Sequence, residues 1–407
     1  AFGSVLSYVD VEAMVGNKLH RWRTPGLYGV EAQLALALLD AAFESRGGFD
    51  AVRAGKLFVA LSRGDAALPL GALRGASRDL GDAILALKQG RNPALAGHTN
   101  ASAAPAARIA PLAVWHSSNP HALPDMIIQA SLLTHRNPMS VSAAAAAARM
   151  VLDLMNKPAL PRSECAALFS NAAAYARDIE DRLAANYPDS IEGTDAGRTL
   201  HAFSSTLEQL CERLDWDEPA VHDWLVQNAR DLYPGQLARA AVDFAPCCAP
   251  YALFVFARHA AEPERALAAA VAQGGAAGAM GAMAGALCGA LHGESGLPEN
   301  LLSGLANRRQ LRTRALALAA RKAPGAQAAD LYEMEESLTR KELEEREARM
   351  RKNRRFNAAQ EKKTLKKAAA PDPAAERIPG KQTLDRKKLK KLKEKQRDWS
   401  RYYPPSD

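Results

Sequence analysis

The 407-residue chain has no CxxC pair and no HExxH motif, and its five cysteines are scattered except for the adjacent Cys247 and Cys248. That spacing excludes a zinc finger or ribbon and gives no disulfide framework, so reduced thiols are expected. Aromatic side chains are only 6% of the residues, and long alternations of β-branched and aromatic residues are missing. A large sheet is therefore excluded. No secretory signal is visible, which makes a cytoplasmic location the expectation. A strong membrane span is also missing. Residues 266–291 carry no charged side chain and are long enough to cross a bilayer, but they are mostly Ala and Gly. Such residues gain little from leaving water, so no membrane association is expected.

What is present is helix. EAQLALALLDAAFE (31–44) places apolar residues at helical spacing among strong helix formers, and similar segments follow. They cover 79–89, 122–134, 141–156, 163–185, 199–214, 218–229, 251–272 and 299–322. Breakers such as TPG (24–26), RNP (136–138), NKP (156–158), YPG (233–235) and the AP pairs around Cys247 separate them. No period of 30 to 45 residues recurs, which excludes a repeat array. The expectation is an all-α bundle of about a dozen helices.

Charge is unevenly placed. From Leu331 to Asp407 there are 23 Lys and Arg against 14 Asp and Glu, a net of +9. Residues 1–330 hold the other 30 of 53 basic and 31 of 45 acidic side chains, a net of −1. The sequence divides accordingly into a helical domain (1–327), a charged solvated helix (328–367), a Pro/Ala linker (368–380) and a basic tail (381–407). Arg351, Lys352, Arg354 and Arg355 form one basic run, and Lys387, Lys388, Lys390 and Lys391 belong to a second. Such runs suit RNA, DNA or another polyanion, and Trp399, Tyr402 and Tyr403 offer stacking faces; a solvated tail fits equally well.

Several stretches in register resemble the ADP-ribosylglycohydrolase family. AFGSVL resembles the end of its GDALG-type opening, and the expectation is that the family's N-terminal helix is missing here. GLYGVEAQLALAL (26–38) resembles G-x-Y-T-D-D-T-Q-M-A-L-A-L, and QGGAAGAMGAMAGALCGALHG (273–293) resembles G-G-D-T-D-T-x-A-A-I-A-G-A-L-A-G-A. ARIAPLAVWH (107–116) and SLLTHRNPMSVSAAAAAARMV (131–151) resemble its M-R-I-A-P-L and L-T-H-x-x-P segments. The resemblance implies an orthogonal all-α bundle that holds two magnesium ions at its centre and hydrolyses ADP-ribosyl bonds.

It also implies six ligand positions here: Gly29, Val30, Glu31, Ala276, Gly278 and Ala279. Of these only Glu31 offers a side-chain oxygen. Mg²⁺ needs oxygen ligands in an octahedron, so no metal cofactor is expected. The expectation is a degenerate member, a pseudoenzyme; a hydrolase working through Glu31 and a scaffold that binds ADP-ribose or ADP-ribosylated proteins stand as alternatives. Gln33, His135, Gly274 and Gly275 are the residues of a residual ligand pocket. The glycines Gly285 and Gly289 read as a close helix contact, which would offset their poor helix propensity. Arg108 reads as half of a structural ion pair, and Cys247–Cys248 as buried thiols.

Overall fold

The computed structural model describes residues 24–45, 48–65, 68, 71–119 and 121–369, with side chains as far as Lys352 and that of Arg355. The longer helices are α1 (Val30–Glu44), α2 (Ala51–Leu61), α3 (Arg78–Lys88), α4 (Leu123–Leu132), α5 (Pro138–Leu154), α6 (Arg162–Asn186) and α7 (Ala202–Cys211). They continue with α8 (Glu218–Ala229), α9 (Ala245–Arg258), α10 (Pro263–Ala272), α11 (Ala277–His292), α12 (Arg308–Ala319) and α13 (Leu331–Ala369). Among the described residues there is no strand; one isolated parallel bridge joins His98 and His135.

The middle of the fold is α5. Asn137 caps it by accepting from the Met139 amide at 3.0 Å, and Pro138 takes a first-turn position where its missing N–H costs nothing. Ala143–Ala148 are all buried, so α5 presents small side chains on every side. Neighbours approach from α4, α6, α7, α9, α11 and the short helix Ala104–Arg108. A helix apolar all round belongs inside the bundle, and this one is there.

Differences from the expected elements have local causes. The predicted helix over 251–272 is two helices, broken at His259–Glu262 and restarted by Pro263. The predicted 299–322 is also split, with Asn307 in the left-handed region (φ 53°) before α12. The Ala-Pro pair at 245–246 starts α9 instead of breaking the chain, and Pro250 lies inside that helix. α2 has no counterpart among the expected segments; Asp50 caps it, accepting from the Arg53 amide at 2.9 Å.

The largest correction concerns α13, expected to be solvated from residue 328 onwards. Leu331, Met334, Glu335, Thr339 and Glu342 are buried. The chain's contacts divide at 347/348, giving one compact unit of residues 1–347 and a second of 348–407. The first seventeen residues of α13 therefore belong to the bundle. No helix among the described residues is long and apolar enough to cross a membrane.

Candidate functional site

Two helix starts meet at the site. Gly274 (φ 67°) and Gly275 (φ 55°) make a left-handed turn ahead of α11. The Ala276 amide donates to Ala241 O at 2.7 Å, and a Cβ on Gly275 would lie 1.9 Å from that same oxygen. Only glycine fits there. At the other start, Gly29 is extended at the N-cap of α1, and the Val30 amide donates to Arg74 O at 2.9 Å. Glu31 lies in the first turn of α1, where the helix dipole favours a carboxylate.

The Glu31 carboxylate reaches across to α11. A Cβ on Gly278 would fall 2.6 Å from Oε1, and one on Gly29 would fall 2.9 Å from Oε2. Glu31 thus fills the space that side chains at Gly29 and Gly278 would take. The two segments that resembled the family's metal motifs are adjacent in space.

A sequence model of the ADP-ribosylglycohydrolase family matches residues 2–337. The chain belongs to the ADP-ribosylglycohydrolase family. Among solved structures, an ADP-ribosylglycohydrolase-related protein complex is similar in fold, with a TM-score of 0.54 and 23% sequence identity. That match covers 79% of this chain and 93% of the other. No curated protein matches the sequence.

The donor set does not fit the family's two magnesium ions. Gly29, Val30, Ala276, Gly278 and Ala279 carry no side-chain oxygen, and Mg²⁺ held through carboxylates needs several. Among the described residues no three His, Cys, Asp or Glu side chains converge as a metal site.

Gln33, expected at a ligand pocket, is fully engaged elsewhere. Its Nε2 donates to Ala72 O and to Glu335 Oε2, both at 2.8 Å, and its Oε1 accepts from the Arg74 amide at 2.8 Å. An amide has two N–H donors, so none is left for a ligand. Arg74 and Glu335, which sequence reasoning missed, form a wholly buried ion pair with Nη2–Oε2 at 2.5 Å. The Tyr28 hydroxyl donates to Glu335 Oε1 at 2.5 Å; burial and the Glu335 charge push its pKa upward, so the proton stays on the phenol.

His135 is buried, with Nδ1 2.9 Å from Thr134 Oγ1 and no partner on Nε2 among the described residues. Burial, then the charge of Arg108, holds its pKa well below the ordinary imidazole range. The ring is neutral at pH 7, which is unsuited to proton transfer near neutrality. Arg108 makes no ion pair among the described residues, contrary to expectation. Its Nη2 donates to Thr134 Oγ1 and to Ala130 O, and burial alone lowers its pKa to about 9. A further acid, Asp243, accepts from Ser102 Oγ at 2.8 Å and from the Ala103 amide at 3.0 Å. It ties down the start of the helix that carries Arg108.

Cys247 and Cys248 are fully buried, and burial raises the Cys247 thiol to about 12 and Cys248 well upward too, so neither is a thiolate nucleophile at neutral pH. In the second unit Arg351, Lys352 and Arg355 are exposed on the described helix. AFGSVL, the Arg354 side chain, and Lys387, Lys388, Lys390 and Lys391 lie outside the described residues.

Proposed function

We propose that the bundle is a pseudoenzyme: it binds an ADP-ribosyl group, free or on a protein, between the starts of α1 and α11 without hydrolysing it. The supporting observation is the packing of Glu31 against Gly278. A single carboxylate closes the space where the family would place opposing acids around metal. Losing the acids together avoids leaving like charges buried without compensation, which would be costly. The backbone amides at the start of α11, behind the Gly274–Gly275 turn, are suited to a phosphate of the ligand. Calorimetric titration tests this: ADP-ribose should bind with the same affinity in Mg²⁺ and in chelator. Binding that requires Mg²⁺ would favour the second reading, a working hydrolase, for which the retained Glu31 is the one supporting feature.

The basic second unit is proposed to hold RNA, DNA or another polyanion through its exposed cations, with strong salt dependence. The test is removal of residues 348–407, since a cut at 328 would strip buried residues from the bundle. Salt-sensitive RNA binding that survives the shorter deletion would end this proposal.

A further inference from the structure

We infer that Glu335 and Thr339, on α13, are positioning residues for Glu31 at the start of α1, acting through Arg74. The Arg74 guanidinium is the junction. Its Nη2 meets Glu335 Oε2 at 2.5 Å, Nη1 donates to Thr339 Oγ1 at 3.1 Å, and Nε donates to Tyr28 O at 2.9 Å. The Arg74 backbone completes the link: its carbonyl accepts from the Val30 amide, and its amide donates to Gln33 Oε1. Tyr28, Val30 and Gln33 bracket Glu31 on both sides in sequence. Apart from the Gln33 Nε2 bond to Ala72 O, these polar contacts to the turn from outside α1 pass through Arg74 or Glu335.

The attachment of α13 is polar. Leu331 and Met334 are its buried apolar side chains, and Glu335 and Thr339 are buried and bonded to Arg74 and Ala72, whereas the buried Glu342 pairs with Arg346 within α13. Thr339 Oγ1 also lies 2.7 Å from Ala72 O, in the loop that carries Arg74. A seam of this kind is directional: it holds one geometry, and it fails if one partner's charge is removed. With Glu335 neutral, Arg74 would be a buried cation without its carboxylate, and its pull on the Tyr28–Gln33 segment would change. Glu31 and its packing against Gly278 would then change with it. A helix beyond both motifs in sequence thus sets how Glu31 is held against α11.

Only the choice of Glu31 as the point of interest is taken from the proposed function, and the test does not require this place to bind anything. Native-state hydrogen exchange is compared in the full chain for wild type, Glu335→Gln and the milder Thr339→Val. The amides of Val30, Gln33 and Arg74 should exchange about tenfold faster or more in Glu335→Gln, the size expected when one charge-assisted bond is weakened. The same amides should respond in the same direction in Thr339→Val, and those in the middle of α5 and α6 should keep their protection. Unchanged exchange at residues 30, 33 and 74, or an equal loss at all sites, would overturn the inference. Where ADP-ribose binds the wild type, its Kd should rise in Glu335→Gln. A wild type that takes up no ADP-ribose contradicts the pseudoenzyme reading instead, and the exchange result still decides the role of Glu335.

Discussion

A glycine-to-alanine scan through the last motif should change sign along one short stretch. At Gly275 the backbone is left-handed, which costs an alanine about 1–2 kcal/mol. The new methyl would also overlap Ala241 O, at 1.9 Å. That oxygen accepts from the Ala276 amide at 2.7 Å and cannot retreat without orphaning a buried donor, a further loss of about 1–3 kcal/mol. Gly275→Ala should therefore destabilise by about 2–5 kcal/mol. At Gly289 a Cβ would meet nothing within 4 Å, and at Gly285 it would meet Leu267 Cδ2 at an ordinary 3.7 Å. Alanine there should gain close to its helix-propensity advantage of about 0.8–1 kcal/mol. Gly281 lies between these cases, because Val271 Cγ1 would be 2.9 Å away but belongs to a side chain that can shift. The assay is urea denaturation, read as midpoint changes at constant m. If Gly289→Ala destabilised as Gly275→Ala does, the assignment of close packing to the turn and not to the far end of α11 would be wrong.

Three further outcomes are expected. Arg108→Met should be neutral or stabilising by up to about 2 kcal/mol, because it removes a buried charge that has no carboxylate partner among the described residues, whereas Arg74→Met should cost about 3–5 kcal/mol; equal losses in the two denaturation midpoints would contradict this. Burial and the charge of Arg321 lower the His116 pKa from 6.5 to about 4. The unfolded chain then takes up the proton first, so stability is full above pH 6.5 and declines as pH falls toward 4; His116→Gln should flatten that decline, and an identical pH profile would refute the assignment. A maleimide reagent under native conditions should modify Cys211 before Cys165, Cys247, Cys248 or Cys288, which are buried. Early modification of the adjacent pair, read by mass spectrometry, would show that α9 opens.

The fold was legible where local chemistry acts alone. The turn at Gly274–Gly275 needs two left-handed residues, and the α1 pattern needs a buried face; both are visible in the letters. What stayed hidden depends on partners distant in sequence. Gln33 looks like a pocket residue until Glu335, 302 positions later, is seen to take its amide proton. The acidic start of α13 looks solvated because nothing local shows that Glu335 is buried against Arg74, 261 positions earlier. Gly285 and Gly289 suggest a close contact by spacing, yet the tight approaches are at Gly278, to Glu31, and at Gly281, to Val271. Pro246 reads as a breaker and acts as a helix start, since proline is tolerated in a first turn. Arg108, without an ion pair among the described residues, has no signature of that in sequence, because a missing partner leaves none.

The central claim, a family fold that binds but does not cut, is tested most directly by a turnover assay. Full-length protein is incubated with an ADP-ribosylated protein substrate in millimolar Mg²⁺, and free ADP-ribose is quantified by mass spectrometry against a protein-free control. The account predicts release no faster than the control. Release that depends on Mg²⁺ and is lost in Glu31→Ala would contradict it.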